Sequence, residues 1–340
     1  MVLRALGNPN SPFEDPYART KEGKISMTSL SVTGGTKFNS GSKTYHAFTE
    51  PGTLQIATEG PAATSITCEY VILGGGGGGG TSGHGRGGGG GAGGYLTGTG
   101  LVINETQEVH VGAGGDKNAD GSPSYLGSIV AYGGGKGGGG YGAGNPGGSS
   151  GGASGVYTGV TPNAVAYGLN PGTPAPVIAN FPAYTPGTTQ GHDGDKGWSG
   201  TPTIGEAQGG GGGGAGGDAP VVESPTAALI GYGGIGVQLP ATFQLPTHPY
   251  GVPGPGPSAF WVGGGGGAGA GTAPGPGGGG GAPPQNSYSG GGAGGNWPGP
   301  PYDGNAGRAN TGGGGGGGDN TSGWGGDNGG SGLVLIAYPT

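Results

Sequence analysis

Charge is scarce in this chain: only 9% of its 340 residues are Asp, Glu, Lys or Arg, just 11 of them basic, and the formal net charge is −7. A chain this poor in Lys and Arg offers no basic patch for phosphates, which argues against a nucleic-acid partner. The single cysteine, Cys68, excludes an internal disulfide framework. No apolar run approaches the roughly 18 residues of a membrane-crossing helix. The opening Met1–Gly7 is too short for a secretion signal, so synthesis in a cytoplasm is expected. Hydrophobic residues make up 30%, too few for a large conventional core.

Catalytic and cofactor signatures are also missing. His46, His84, His110, His192 and His248 lack the spacing of zinc ligands. Lys136 follows glycine but precedes Gly137, so there is no phosphate-binding Gly-Lys-Ser/Thr loop. Matches to G-x-G-x-x-G inside long glycine runs lack the strand–helix context that gives them meaning. Cys68 lies mid-strand beside Glu69 and reads as a small buried hydrophobe. No acid–base pair stands out, and no enzyme is expected. Asp116-Lys117-Asn118-Ala119-Asp120-Gly121 fits the first six positions of an oxygen-rich Ca²⁺ loop, with Asp116, Asn118 and Asp120 as ligands. The closing bidentate Glu is replaced by Gly127, and a polar turn is the competing reading. No other cofactor is suggested.

What is abundant is glycine, at 102 residues, with 30 prolines. Together they exceed the roughly 25–30% above which disorder is the default reading. The glycines, however, come in blocks, among them 74–80, 87–94, 133–140, 209–217, 263–271 and 312–318. Residues without Cβ can form the extended helix of three residues per turn, whose backbone groups all point outward. Such rods lying side by side satisfy one another's N–H and C=O groups. Only alanine (Ala92, Ala215, Ala268) interrupts several runs, consistent with rods that exclude larger side chains. Ordering a residue costs about 1–2 kcal/mol, whereas one hydrogen bond returns about 0.5–1.5 kcal/mol net. Many rods must therefore pack at once.

The fold class expected is mostly irregular and all-β: a small β platform plus a polyglycine II helix sandwich, with little or no α-helix. Residues 1–24 hold seven charged residues, with Phe13, Tyr17 and Arg19 among Pro9, Pro12 and Pro16, and read as an extended docking arm. Residues 25–130 read as a strand platform with the first glycine runs, and 131–340 as the sandwich with long loops and a closing strand. Ile66, Cys68, Tyr70 and Ile72 alternate along one strand. Tyr45–Phe48 and Thr53–Ile56 read as two strands around Pro51-Gly52, and Leu101–Ile103 with Glu108–Val111 as a hairpin. Leu333–Tyr338 is expected to pair with Tyr70–Leu73 and tie the chain ends together.

Several stretches carry a resemblance. They are Thr44-Tyr45-His46-Ala47-Phe48-Thr49, the strand Glu69–Leu73 entering Gly74, the run Gly87–Tyr95, Val109–Gly115, and the ending Gly330–Ile336. This strand–glycine–strand frame, over about 30–340, resembles the glycine-rich domain of bacteriophage tail-fibre and virion proteins. Residues 236–263, from Gly236-Val237-Gln238-Leu239-Pro240 to Phe260-Trp261-Val262-Gly263, are similar to versions in marine phages, including those of cyanobacteria. Packed polyglycine helices with loops at one end also occur in distal adhesins of some T4-like phages, a comparison of architecture only. The resemblance implies a virion surface protein at host-contacting fibres, made in the host cytoplasm; a homo-oligomer, as a trimer, and a monomer both remain open. Its arm would dock on other virion proteins, and its loops would meet a bacterial cell-surface glycan or outer-membrane protein.

Candidate receptor contacts are the aromatics of the long loops: Tyr157, Tyr167, Tyr184, Trp198, Trp297 and Tyr302. Covering the flank of a sandwich short of apolar side chains is the competing role for them, and equally for Phe243 and Tyr250. Two other functions fit the same composition: a capsid decoration or head-fibre protein, and an ice-binding protein of glycine-helix type. Irregular spacing and long aromatic loops argue against the second.

Overall fold

The computed structural model describes residues 30–58, 65–82, 85–140, 142–156, 190–197, 208–221, 231–254, 259–269, 288–295, 303–318 and 325–340. Among them there is no α-helix. The regular elements are β-strands and one 3-10 turn at Ala241–Phe243.

The C-terminal strand shows why the base of the molecule forms. Leu333-Val334-Leu335-Ile336-Ala337-Tyr338 has no polar alternate, and a strand written this way must be covered on both faces. We number the strands along the chain, so this strand, Leu333–Pro339, is β15. It is the centre of a five-stranded antiparallel sheet, flanked by β3 (Lys43–Phe48) and β5 (Ile66–Leu73), with β2 (Thr36–Ser40) and β7 (Tyr95–Ile103) at the edges. Leu333 pairs with Leu73 and Ala337 with Glu69, so the end of the chain is tied to the strand that enters the first glycine run.

Alternate side chains of this sheet go to two different cores. Val334, Ile336, Phe48, Ile66, Cys68 and Ile72 meet Val32, Leu54, Val109 and Leu126 of a second five-stranded sheet. That sheet has the order β1 (Leu30–Thr33), β4 (Gly52–Thr58), β8 (Gln107–His110), β9 (Ser124–Leu126) and β10 (Ile129–Ala131). On the other face, Leu333, Leu335, Tyr45, Val71 and Leu73 are covered by Leu239, Phe243, Phe260 and Val262. These come from a small sheet of β12 (Val237–Gln238), β14 (Phe260–Val262) and β13 (Val252–Pro253) and from the 3-10 turn. Burying each large aliphatic side chain contributes about 1.5–3 kcal/mol, so this three-layer base concentrates what little apolar surface the chain owns.

The two strands expected around Pro51-Gly52 are present as β3 and β4 but do not pair with each other, and the hairpin expected of Leu101–Ile103 with Glu108–Val111 is absent. β3 pairs with β2 and β15, and β4 with β1 and β8. Likewise Leu101–Ile103 pairs with Ile66–Cys68, while β8 pairs with β4 and β9. The connections instead cross between sheets, because Ile103 and Val109, and Phe48 and Leu54, bury their side chains in the shared core between them. β7 also carries a bulge: Thr99 and Gly100 together oppose Glu69, and Gly100 takes φ +75°.

From this base the glycine runs extend as rods. In rod 74–80 the hydrogen-bonding direction repeats every third residue. The N–H groups of Gly74, Gly77 and Gly80 donate to the carbonyls of Gly94, Gly91 and Gly88. Those of Gly75 and Gly78 donate to Ser122 and Ala119, and those of Gly76 and Gly79 to Gly330 and Asp327. The carbonyls follow the same period, accepting from Gly134 and Gly137, from Gly115 and Asn118, and from Gly315 and Gly318. One rod thus touches six neighbours, the hexagonal packing of polyglycine II. Rod 87–94 is enclosed in the same way, by runs at 74–80, 132–138, 149–152, 210–213, 266–269 and 312–318.

This packing leaves no room for Cβ. A methyl at Gly77 would stand 2.2 Å from the Gly135 carbonyl oxygen, and one at Gly90 2.1 Å from that of Gly77. Buried Ala268 is admitted because Gly209 and Gly231 stand opposite its methyl. Larger side chains occur where a peripheral rod turns its third residue to water. Lys136 lies between half-exposed Gly133 and Gly139, and Ala113 and Asp116 are the exposed positions of their rod.

Candidate functional site

The rods have two unlike ends. At the base end they run directly into strands: Gly74 follows β5, Gly94 precedes β7, Gly263 follows β14 and Gly332 precedes β15. The far end is marked by Gly80, Gly87, Gly138 and Gly318, which bond across neighbouring rods. Backbone donors there lose their rod partners, and side-chain oxygens replace them. Asn118, in the left-handed region at φ 62°, accepts from the Thr81 N–H at 2.7 Å through Oδ1. Asp303 accepts from the Gly325 N–H at 2.6 Å, and Asn328 from that of Lys117 at 3.0 Å. The Ser154 hydroxyl lies 3.1 Å from the carbonyls of both Gly140 and Gly142.

The segment read as half a Ca²⁺ loop is part of this arrangement. Residues 116–119 turn the chain between two rods. Asn118 caps Thr81, while Asp120 accepts from the Lys136 N–H at 2.8 Å and from the Asn145 side-chain amide at 3.0 Å. The oxygens of Asn118 and Asp120 are thus directed to different rods, and Asp116 is exposed on the turn. Among the described residues no group of three His, Cys, Asp or Glu is arranged to hold a metal ion.

Tyr157, Tyr167, Tyr184, Trp198, Trp297 and Tyr302 lie outside the described residues, as do Phe13, Tyr17 and Arg19. The described residues that border four of them are all at the far end. Val156 belongs to β11 (Gly155–Val156), paired with β6 (Gly85–Arg86), and Gly197 neighbours Gln208 and Gly210. Gly295 donates to the Gly317 carbonyl, and Asp303 caps Gly325. The two aromatics of the base that were open to either role are packed. Phe243 is buried against Tyr45, and Tyr250 lies half-buried beside Phe38 with ring centroids 6.4 Å apart.

The titratable groups of the base are engaged structurally. His46 is fully buried; its Nδ1 lies 2.7 Å from the Gly34 carbonyl, and its Nε2 3.2 Å from the Tyr338 hydroxyl. Burial holds its pKa below the usual 6.5. Glu69 pairs with Lys43 and accepts from Thr242 Oγ1 at 2.5 Å, which ties the 3-10 turn to the central sheet. The Lys43 hydrogen bond, followed by that of Thr242, holds the carboxyl below its usual range. The Cys68 thiol is pushed up to about 12 by burial, and Glu69 adds to the effect, so it stays protonated and unreactive.

Sequence reasoning missed two glutamines. Gln190, 3% exposed, accepts from the Tyr132 N–H at 2.9 Å and donates to the Val130 carbonyl at 3.0 Å, while its own carbonyl receives the Tyr95 N–H. Gln244 bridges the Leu239 carbonyl and the Phe260 N–H in the small covering sheet. Neither stands in any motif; Gln190 acts through backbone about 60 residues away, and Gln244 joins Leu239 to a strand 16 residues on.

Comparison with known families matches a glycine-rich domain over residues 49–339, most of the chain, and the protein belongs to that family. Comparison with curated proteins and with solved structures gives no match.

Proposed function

We propose, with family membership as the premise, that this is a non-enzymatic structural protein of a phage virion surface, of tail-fibre or adhesin type. The observation that supports it most is the division of labour between the two ends of the rod array. The base gathers the apolar strands and the C-terminus, and β1, which follows the N-terminal arm, lies at the edge of its second sheet. The stretches carrying Trp198, Trp297 and Tyr302 are bounded on both sides by far-end residues, and the one carrying Tyr157 leaves the far end at Val156 and returns at the base through Gln190. Rods held by six neighbours make a stiff spacer between them, about 22 Å long for rod 74–80 at about 3.1 Å per residue.

On this reading the arm, with Phe13, Tyr17 and Arg19, docks the protein on other virion proteins, and the aromatic loops meet a bacterial surface glycan or outer-membrane protein. Oligomerisation, as a trimer, would multiply weak contacts into useful avidity. No cofactor enters this scheme. The test is gold labelling of intact particles with an antibody against this chain, combined with adsorption assays in the presence of the purified protein. Label at the tail together with competition for host cells is the expected result. Label on the head would make the protein a capsid decoration, and particles carrying no label would end the virion reading.

A further inference from the structure

A trans peptide plane sends its C=O and the following N–H in opposite directions. That rule locates a trough on the flank of the array, between the antiparallel rods 290–295 and 303–308. Asn305 and Arg308 join these two rods, donating their N–H groups to the carbonyls of Ala293 and Gly290. The carbonyls of Ser289 and Gly292 accept from Gly264 and Gly267, so the N–H groups of Gly290 and Ala293 point directly away from rod 263–269. In the neighbouring rod the N–H groups of Gly304 and Gly307 donate to Gly325 and Asn328. The carbonyls of Asp303 and Ala306 are thereby turned away from rod 325–332. Between the two sets lies a cavity of about 220 Å³, whose walls include Gly290, Ala293, Asn305, Ala306 and Arg308.

The donors of this trough are open. Among the described residues the N–H groups of Gly290 and Ala293 have no acceptor, and the side chains of Asn305 and Arg308 have no hydrogen bond or ion pair. In rod 74–80, by contrast, every N–H has an acceptor. Gly290 is buried and Ala293 half-buried, positions at which an unpaired N–H is rare. The register sets Arg308 beside Gly290 and Asn305 beside Ala293, two groups of donors three residues apart, or about 9 Å at 3.1 Å per residue.

We propose that this trough binds the carboxylate of an acidic sugar. A guanidinium meets a carboxylate with two parallel hydrogen bonds, and the Gly290 N–H supplies a further donor at the same end. At the other end the Ala293 N–H, the Asn305 carboxamide and the Ala306 carbonyl offer donors and acceptors to ring hydroxyls. Arg308 opposes a cation. The volume is below the roughly 300–1,000 Å³ of pockets for drug-sized ligands, which limits the site to a small ligand such as one sugar ring. The assignment stands on the backbone of two rods and does not depend on which particle carries the protein.

The experiment is a titration of the full chain followed by ¹H–¹⁵N correlation spectra, with galacturonate, galactose and inorganic phosphate as probes. The Gly290 and Ala293 amide signals should shift with galacturonate and stay in place with galactose. Arg308→Gln should weaken galacturonate about tenfold, the loss of one charged hydrogen-bonding partner, at an unchanged melting temperature. Ala293→Pro removes only an N–H, since the φ of proline suits a rod, so it should abolish the binding and leave the fold intact. Equal shifts with galactose, no shift with galacturonate, or full affinity in Arg308→Gln overturns the proposal. Unfolding of Ala293→Pro would show that its N–H is needed by the protein itself, with the same consequence. Phosphate moving both amides as strongly as galacturonate would make this a site for any oxyanion and overturn the sugar assignment.

Discussion

The Tyr338 hydroxyl meets the Nε2 of His46 at 3.2 Å across a separation of 292 residues. Since the Gly34 carbonyl can only accept, the imidazole proton sits on Nδ1, and Tyr338 donates to Nε2. The contact locks the last strand to the first strands of the base, and burial favours the neutral ring that makes it in this way.

A pH dependence follows from this lock. The folded pKa of His46 is lowered, so below 6.5 the unfolded chain takes up a proton that the folded chain refuses. The contribution is complete above 6.5 and is lost as the pH falls through that value toward the folded pKa. Glu69, also lowered, adds a second loss below its ordinary 4.5 as the unfolded carboxylate protonates. Thermal melts from pH 8 downward should show two steps. His46→Gln should remove the upper step and Glu69→Gln the lower; a flat profile above pH 5 would refute the role of His46.

The glycine requirement is positional. Gly77→Ala puts a methyl 2.2 Å from the Gly135 oxygen in a rod enclosed on all sides, so backbones must separate. Overpacking of this kind costs about 1–3 kcal/mol, and loss of neighbouring hydrogen bonds adds to it. Gly265→Val, with Cβ 2.0 Å from the Gly212 oxygen, should be worse. Ala113→Ser, on an exposed rod face, should melt like the parent. Equal melting temperatures for all three would contradict the close-packed array.

Much of this was readable from glycine chemistry. The strand Glu69–Leu73 entering Gly74 marks both the base and the first rod, and the all-apolar Leu333–Ala337 announces a strand covered on both sides. The pairing of Leu333–Tyr338 with Tyr70–Leu73 was expected and is found, but the pairing of the other strands could not be read. Period-two alternation says which face of β3, β4, β7 or β8 is buried, but not whether a neighbour in sequence lies beside it or across the core from it. Phe48 and Leu54 satisfy the same apolar pattern either way, and packing face to face across two sheets buries more than a hairpin would.

Cys68 provides a probe of global opening. With burial raising its pKa to about 12 and the side chain in the core, an aromatic disulfide reagent at pH 8 should not label it in the native protein. In denaturant labelling should be complete. Fast native labelling would mean that β5 opens locally.

If the long loops recognise host cells, Tyr157→Ala, Tyr184→Ala and Trp198→Ala together should lower adsorption of the particle while the melting temperature of the purified protein holds. The readout is the fraction of unadsorbed particles over time. Unchanged adsorption in a normally folded variant would remove these residues from the receptor contact.

Gln190 tests how the array is closed at its base. Its side-chain amide is the partner of both the Tyr132 N–H and the Val130 carbonyl, in a site with almost no access to water. Gln190→Ala strands both groups, and each buried unpaired group costs about 1–3 kcal/mol. Because water cannot reach them without opening the contact of rod 87–94 with rod 132–138, the loss should spread beyond the site. Amide exchange should accelerate at Gly94 as well as at Tyr132, since the Gly94 N–H bonds to the Tyr132 carbonyl. Gln190→Glu keeps the acceptor for Tyr132 but places a carboxylate against the Val130 carbonyl, so it should be destabilised at neutral pH and partly recovered in acid, when the protonated acid donates again. A variant as stable as the parent at every pH would show that the backbone of residue 190, through its carbonyl bond to Tyr95, closes the array without the side chain.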